Sequence, residues 1–312
     1  VTRARPSGQK ILVTGPTGNL GRPLALALAA TNEVWGLARF VDAGIRAELE
    51  AAGVRCIAHD LSSDPMADVP DDFHAVVHTA SLIPMASEQD MARTMQINCT
   101  ATALLLERCR RARTFVMCSS AGVYRHQDRP LREDDDYGAD LPGYAISKIA
   151  AEQLVRYLSS RWDVPCVILR IGALFGRQGG TGGATAPIDR MVAGKEIWVH
   201  PEKTDGVSLL WEDDAVRLVA ASLSAGEVPP LTLNLAGSEH VTVEEYCRFA
   251  GQLLGVCPRF RYTTRAYPTN PLDTSRMRST LGSATTDWRS AMTTMVEHRY
   301  PDLVATATQT DP

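Results

Sequence analysis

The chain predicts an α/β fold, a doubly wound parallel sheet followed by a smaller C-terminal region. Three observations predict it. Short apolar, β-branched runs alternate with helix-like segments from Lys10 to Arg170. A glycine-spaced turn, Gly15-Pro16-Thr17-Gly18-Asn19-Leu20-Gly21, joins the first run to the first helix. Past Ile171 the alternation stops, and glycine-rich and isolated strand-like stretches take over. Such alternation calls for right-handed crossovers and helices on both faces, with ligands beyond the carboxyl ends of the strands.

The run Lys10-Ile11-Leu12-Val13-Thr14 suits a buried strand, and Arg22 to Ala30 has the composition of a helix, with Pro23 tolerable in its first turn. Between them, Gly15 permits a tight turn, Gly18 lets backbone approach a pyrophosphate, and Gly21 lets helix and strand pack closely. Thr17, Asn19 and Leu20 fill the same loop. The helix N-terminus offers free N–H groups and partial positive charge to phosphate. The spacing is Gly-x-x-Gly-x-x-Gly, so its place between strand and helix carries the reading of a dinucleotide site.

A second strand, Glu33 to Arg39, ends where an adenine ribose would lie. NAD sites carry an acidic side chain there; this chain offers Ala38 and Arg39. A guanidinium pairs with a 2′-phosphate in bidentate fashion, and Arg22 adds a second positive charge. The expected cofactor is NADP(H), with NAD the alternative.

A short helix (Ala43 to Ala52) and a third strand (Val54 to Ala58) close on His59-Asp60-Leu61, where Asp60 is an adenine contact or an exposed turn aspartate. A fourth strand, His74 to His78, leads into Thr79-Ala80-Ser81 at the same sheet edge. A long helix, capped by Ser87 with Asp90 at capping-box spacing, is expected through Asn98 to Arg108. A fifth strand, Thr114 to Cys118, delivers Ser119 and Ser120; a helix carries Tyr144 and runs to about Ser159; a sixth strand spans Cys166 to Arg170.

Beyond it, Gly179-Gly180-Thr181-Gly182-Gly183 is too glycine-rich for a regular element and is either a lid or a linker. Glu196 to His200 and Val207 to Trp211 look like strands joined by a loop ending Asp205-Gly206. Asp213-Asp214 open a helix, and Leu231 to Ala236 forms another strand. The expected organisation is a dinucleotide-binding domain over 8–170, with 204–237 returning to it. A substrate-binding region takes 171–203 and 238–305, and 306–312 is a frayed tail.

The most chemical feature is Tyr144-Ala145-Ile146-Ser147-Lys148. A four-residue step puts phenol and ammonium on one helix face, a turn apart. A neighbouring ammonium favours the phenolate, making a group that ordinarily titrates near ~10 usable for proton transfer closer to neutrality. Ser120, Ser81 and the glycine loop share the same sheet edge, so the pair would face a bound nicotinamide.

Composition bounds the rest. The chain has 312 residues, net charge −4 and pI about 6.0, with both signs interspersed and no basic stripe, which argues against nucleic acid. Arg108-Cys109-Arg110-Arg111-Ala112-Arg113 sits at a helix end, where cations suit the dipole. Seven scattered cysteines without Cys-x-x-Cys fit neither a disulfide framework nor a thiolate zinc site, and the histidines show no ligand spacing, so no metal is expected. The polar start and the lack of a ~20-residue apolar stretch lead to the expectation of a cytoplasmic protein without membrane partners.

Together these residues resemble the short-chain dehydrogenase/reductase superfamily, in its extended branch, the NAD-dependent epimerase/dehydratase family with a Rossmann-like domain. Gly15, Gly18 and Gly21 match its cofactor loop and Asp60-Leu61 its adenine-side turn. Ser119-Ser120-Ala121-Gly122-Val123-Tyr124 matches the catalytic-serine segment, and Tyr144 with Lys148 the active-site pair. Leu169-Arg170 through Phe175-Gly176 resembles the strand entering the substrate region, and Trp211 to Val216 the helix start with paired aspartates.

The resemblance implies that Ser120 bonds the substrate oxygen, Tyr144 passes the proton, and Lys148 tunes Tyr144 and holds the nicotinamide ribose. It also implies a substrate meeting Ser81, Ser120, Ala121 and Tyr144, and a cofactor also touching Ala80 and Ser81. Asn98 matches a position that helps order this site, or is a helix-interior asparagine bonded to backbone. A homodimer through the helices near Asn98 and Tyr144 is implied as well.

Two departures count against a nucleotide-sugar substrate. Gly206-Val207-Ser208-Leu209-Leu210 lacks the arginine that grips a sugar diphosphate, and Gly172-Ala173 stand where an asparagine is frequent. Lys203 and Arg190 are the cations that could replace the arginine. The expected activity is NADP(H)-dependent interconversion of a ketone or aldehyde with an alcohol on a small organic molecule. The alternatives are an epimerase or dehydratase with retained NAD, and a non-catalytic NADP(H) sensor.

Overall fold

The computed structural model describes residues 7–62, 66–83, 87–178, 184–201, 206–266 and 269–304. The stretch 179–183, Lys203, Asp205 and the tail 306–312 lie outside them. Seven strands form one all-parallel sheet: β1 (Lys10–Thr14), β2 (Glu33–Ala38), β3 (Arg55–Ala58), β4 (Ala75–His78), β5 (Thr114–Ser120), β6 (Cys166–Ile171) and β11 (Leu231–Leu235). Their order is β11-β6-β5-β4-β1-β2-β3. It reverses direction at β1, with β2 on one side and β4 on the other, and a crevice opens at such a point.

Side-chain alternation decides which residues face which layer. Ile11 and Val13 point into one core with Leu24 of α1 (Gly21–Ala29), Leu49 of α2 (Ala43–Ala51) and Leu218 of α7 (Glu212–Ser222). Leu12, Val76 and Phe115 point the other way, against Leu105 of α4 (Ala101–Arg108) and Val155 of α5 (Gly143–Trp162).

The helix expected to start at Ser87 begins later. Asp90, not Ser87, is its cap: the Asp90 carboxylate accepts from Arg93 N at 2.9 Å, opening α3 (Met91–Met95). Ser87 is fully buried, with its hydroxyl on the Ile83 carbonyl at 3.0 Å. A buried hydroxyl already bonded to backbone cannot cap. A π turn, Gln96–Thr100, then separates α3 from α4.

The C-terminal lobe has its own core, with Phe175, Ile188, Val199, Tyr246, Trp288 and Met292. Its strands are short and pair non-locally. β7 (Ala173–Phe175) runs parallel to β10 (Leu209–Trp211), and β8 (Ile197–Val199) parallel to β13 (Phe260–Tyr262). β9 (Gly206–Val207) is antiparallel to β12 (Val241–Thr242). The expected strand Val207 to Trp211 is therefore two, interrupted at Ser208, whose hydroxyl accepts from Leu272 N at 3.2 Å. Helices α6 (Thr185–Val192), α8 (Val243–Leu254) and α10 (Trp288–Arg299) cover this core, while α9 (Ser275–Thr280) lies by β11.

Candidate active site

A cleft of about 650 Å³ opens at the point where strand order reverses. One end is built by the glycine loop. Gly15 has φ +67°, and a Cβ there would lie 2.9 Å from Ala80 Cα. A Cβ on Gly21 would collide with the Gly15 carbonyl and lie 2.8 Å from Thr79 Oγ1. No side chain caps α1, whose Ncap residue is Leu20. The loop is thus closed to side chains while the first amides of α1 have no side-chain acceptor, which fits a phosphate-bearing cofactor. Gly15, Thr17, Gly18, Asn19, Leu20 and Gly21 all line the cleft, as do Arg39, Asp60, Leu61, Ala80 and Ser81.

The end of the cleft beyond β2 and β3 holds three charged groups. Arg39 is exposed at the end of β2. Asp42 is committed as the cap of α2, accepting from Gly44 N at 2.8 Å and Ile45 N at 3.2 Å. Asp60 accepts from Ser62 N at 2.9 Å and Ser62 Oγ at 2.8 Å, which holds its carboxyl below the usual range. Arg22 does not join them. It is absent from the cleft wall because its guanidinium pairs with Glu48 of α2.

Ser120, Tyr144 and Lys148 line the other end. Ser120 Oγ accepts from Gly122 N at 3.1 Å, which fixes the side chain and leaves its proton to donate. Lys148 is buried, donates to the Cys118 carbonyl at 3.0 Å, and has its Nζ 5.8 Å from the Tyr144 ring centre. That tether joins α5 to β5, so phenol, ammonium and serine hydroxyl share one wall.

Two expected site residues stand behind the wall. Asn98, in the π turn, is buried off the cleft; its Oδ1 accepts from Leu82 N at 2.7 Å and its Nδ2 donates to Ser147 Oγ at 3.0 Å. Ser147 in turn bonds the Tyr144 carbonyl at 2.6 Å. Asn98 therefore ties the loop after β4 to the helix of Tyr144. Ala121 does not line the cleft either; it packs on the small cluster of Val123, Tyr124 and Leu131.

A histidine and a carboxylate are also buried here, and only the carboxylate was not anticipated. His78 lies between Thr14 Oγ1 at 2.7 Å and Thr102 Oγ1 at 2.9 Å, and burial, aided by Lys148, lowers its pKa to about 3. Glu152 is one helical turn past Lys148 and fully buried. It receives Ser119 Oγ at 2.5 Å, Tyr137 OH at 2.9 Å and Arg170 Nη2 at 2.8 Å. The Arg170 guanidinium lies 4.6 Å from the Tyr124 ring centre and 5.0 Å from that of Tyr137. The only sequence signals were the i, i+4 step from Lys148 and an arginine ending an apolar strand. Among the described residues, no group of three His, Cys, Asp or Glu is arranged to hold a metal, and no helix is long and apolar enough to cross a membrane.

The NAD-dependent epimerase/dehydratase family model matches residues 11–236. Over 287 residues the chain is 30% identical to a 3-diazoavenalumate denitrifying reductase of Streptomyces sp, covering 88% of this chain and 87% of that protein. It is also 30% identical over 183 residues to a D-erythronate dehydrogenase of Cupriavidus necator, covering 54% and 56% of the two chains. UDP-glucuronic acid 4-epimerase from Bacillus cereus, solved with UDP-glucuronic acid and NAD, superposes with a TM-score of 0.81 at 22% identity, over 93% of this chain and 98% of that one. The chain therefore belongs to the NAD-dependent epimerase/dehydratase family, the extended branch of the short-chain dehydrogenases/reductases, whose members are nicotinamide-dependent enzymes.

Proposed function

We propose that the protein is an NADP(H)-dependent oxidoreductase that interconverts a ketone or aldehyde with an alcohol on a small organic substrate. The observation that carries this reading is the meeting of Ser120, Tyr144 and Lys148 in the cleft framed by the glycine loop. A nicotinamide cofactor held by the glycine loop and Lys148 would supply hydride to the carbonyl carbon, or accept it from the carbinol carbon. Tyr144 gives its phenolic proton to the substrate oxygen on reduction and receives it on oxidation. Ser120 donates to that same oxygen and orients it. Lys148, anchored on Cys118, holds positive charge beside the phenol as its proton leaves. Arg39, exposed at the end of β2 and lining the cleft, supports a preference for the 2′-phosphate, with which a guanidinium can pair.

The test is a Tyr144→Phe variant assayed for NADPH oxidation against a panel of carbonyl compounds. A loss of about 10²-fold or more in kcat is expected, the low end of general acid–base contributions, with NADPH binding retained. Turnover matching the unaltered protein would remove Tyr144 from its role.

A second reading, an epimerase with retained NAD, is favoured by the likeness to the Bacillus cereus enzyme. NAD carried through purification, with no net cofactor consumption, would establish it. The helices α4 and α5 are also the proposed faces of a homodimer, to be tested by light scattering.

A further inference from the structure

Resting on the oxidoreductase reading, we infer that the substrate is a carbonyl compound with an apolar flank and no phosphoryl group. The cleft that holds Tyr144 is also lined by Ile83, Ile171 and Leu174. Ile83 is 41% exposed, an aliphatic side chain left open to solvent on the cleft wall. Such a surface gains by covering hydrocarbon.

A diphosphate needs the opposite, charge-assisted N–H donors converging on it. Among the described residues lining the cleft, the lysines and arginines are Arg39, at the end of β2, and Lys148, tethered to Cys118. Three of the lobe's arginines are committed elsewhere. Arg177, two residues after β7, bonds both Asp213 oxygens at 2.9 and 2.8 Å, pairs with Glu212, and lies 5.1 Å from the Trp211 ring centre. Arg190 donates to the Glu196 carbonyl at 2.8 Å and lies over Trp198, and Arg299 grips both Asp189 oxygens. Recruiting Arg177 to a phosphate would leave Glu212, only 7% exposed, without its cation.

Two measurements on the NADPH-loaded protein decide the matter. Calorimetric titration with UDP and UDP-glucose is expected to show no binding at about 1 mM ligand, equivalent to a Kd weaker than millimolar. Kinetics with straight-chain methyl ketones from propanone to 2-octanone are expected to show KM falling about fourfold per added methylene until the cleft is filled. An Ile83→Ser variant should flatten that series. Micromolar binding of UDP overturns the inference, and so does a KM series flat in the unaltered protein. Silent UDP with no ketone turned over counts against the oxidoreductase reading and leaves the exclusion of diphosphates standing.

Discussion

Replacing Arg170 by Met keeps most of the side-chain volume while removing the cation from a fully buried carboxylate. Arg170 is 2% exposed and Glu152 not at all, and three N–H···O contacts of 2.8, 3.1 and 3.2 Å join them. After the change Glu152 would keep the Ser119 and Tyr137 hydroxyls and the more exposed Arg156, whose Nη2 lies 3.8 Å from its Oε2. Breaking a buried pair by removing one member costs about 3–5 kcal/mol, because a desolvated charge is left without compensation. Against a total stability on the order of 5–15 kcal/mol, Arg170→Met should be severely destabilised. With a urea slope of about 3 kcal/mol per molar, its midpoint should fall by about 1–1.7 M. Glu152→Leu should cost a similar amount. The double variant should recover at least about 2 kcal/mol of the summed loss, since apolar replacement of both charges removes the desolvation penalty as well as the attraction. Urea unfolding of the four proteins, followed by circular dichroism, measures the cycle. Single losses below about 1 kcal/mol, or losses that simply add, would refute the argument that this pair is coupled and dry.

Three other perturbations test separate links. His78 stays neutral when folded down to about pH 3, whereas unfolded it takes a proton near its ordinary 6.5, so stability should fall as pH drops through that window. The loss should be about 2 kcal/mol by pH 5, at about 1.36 kcal/mol per pH unit, and chemical denaturation of His78→Gln should lack that slope. Gly21→Ala should lose cofactor binding, seen as NADPH fluorescence, because its Cβ would meet the Gly15 carbonyl and Thr79; unchanged binding would contradict the tight-loop geometry. Arg39→Ala should weaken NADPH about 10–100-fold with little effect on NADH, the worth of a charge-assisted contact, and equal losses for both cofactors would remove Arg39 from the 2′-phosphate.

The sheet was legible because its strands are continuous apolar runs bounded by turns, and because Gly15 and Tyr144 sit at fixed distances from strand ends. The lobe was less so. Strands of two or three residues such as β9 and β10 carry no periodicity of their own, and their partners lie 34 to 36 residues away in the sequence. Arg22 illustrates a different limit. Its charge was plain, but the pairing with Glu48 crosses 26 residues and depends on α1 packing beside α2. Asn98 bonds Leu82 and Ser147 from within a π turn, and that turn leaves no mark in the residue pattern. Ser87 matched a capping signal, and burial overrode it.

The chain leaves the sheet after β6, builds much of the lobe, and comes back to lay β11 along the edge of β6. Lobe and nucleotide half are consequently not severable by one cut. A fragment ending at Ile171 would carry every residue of the Ser–Tyr–Lys constellation but expose the bare backbone of β6 as a sticky seam. Swapping lobes between relatives would therefore need two matched joints, one on either side of the excursion.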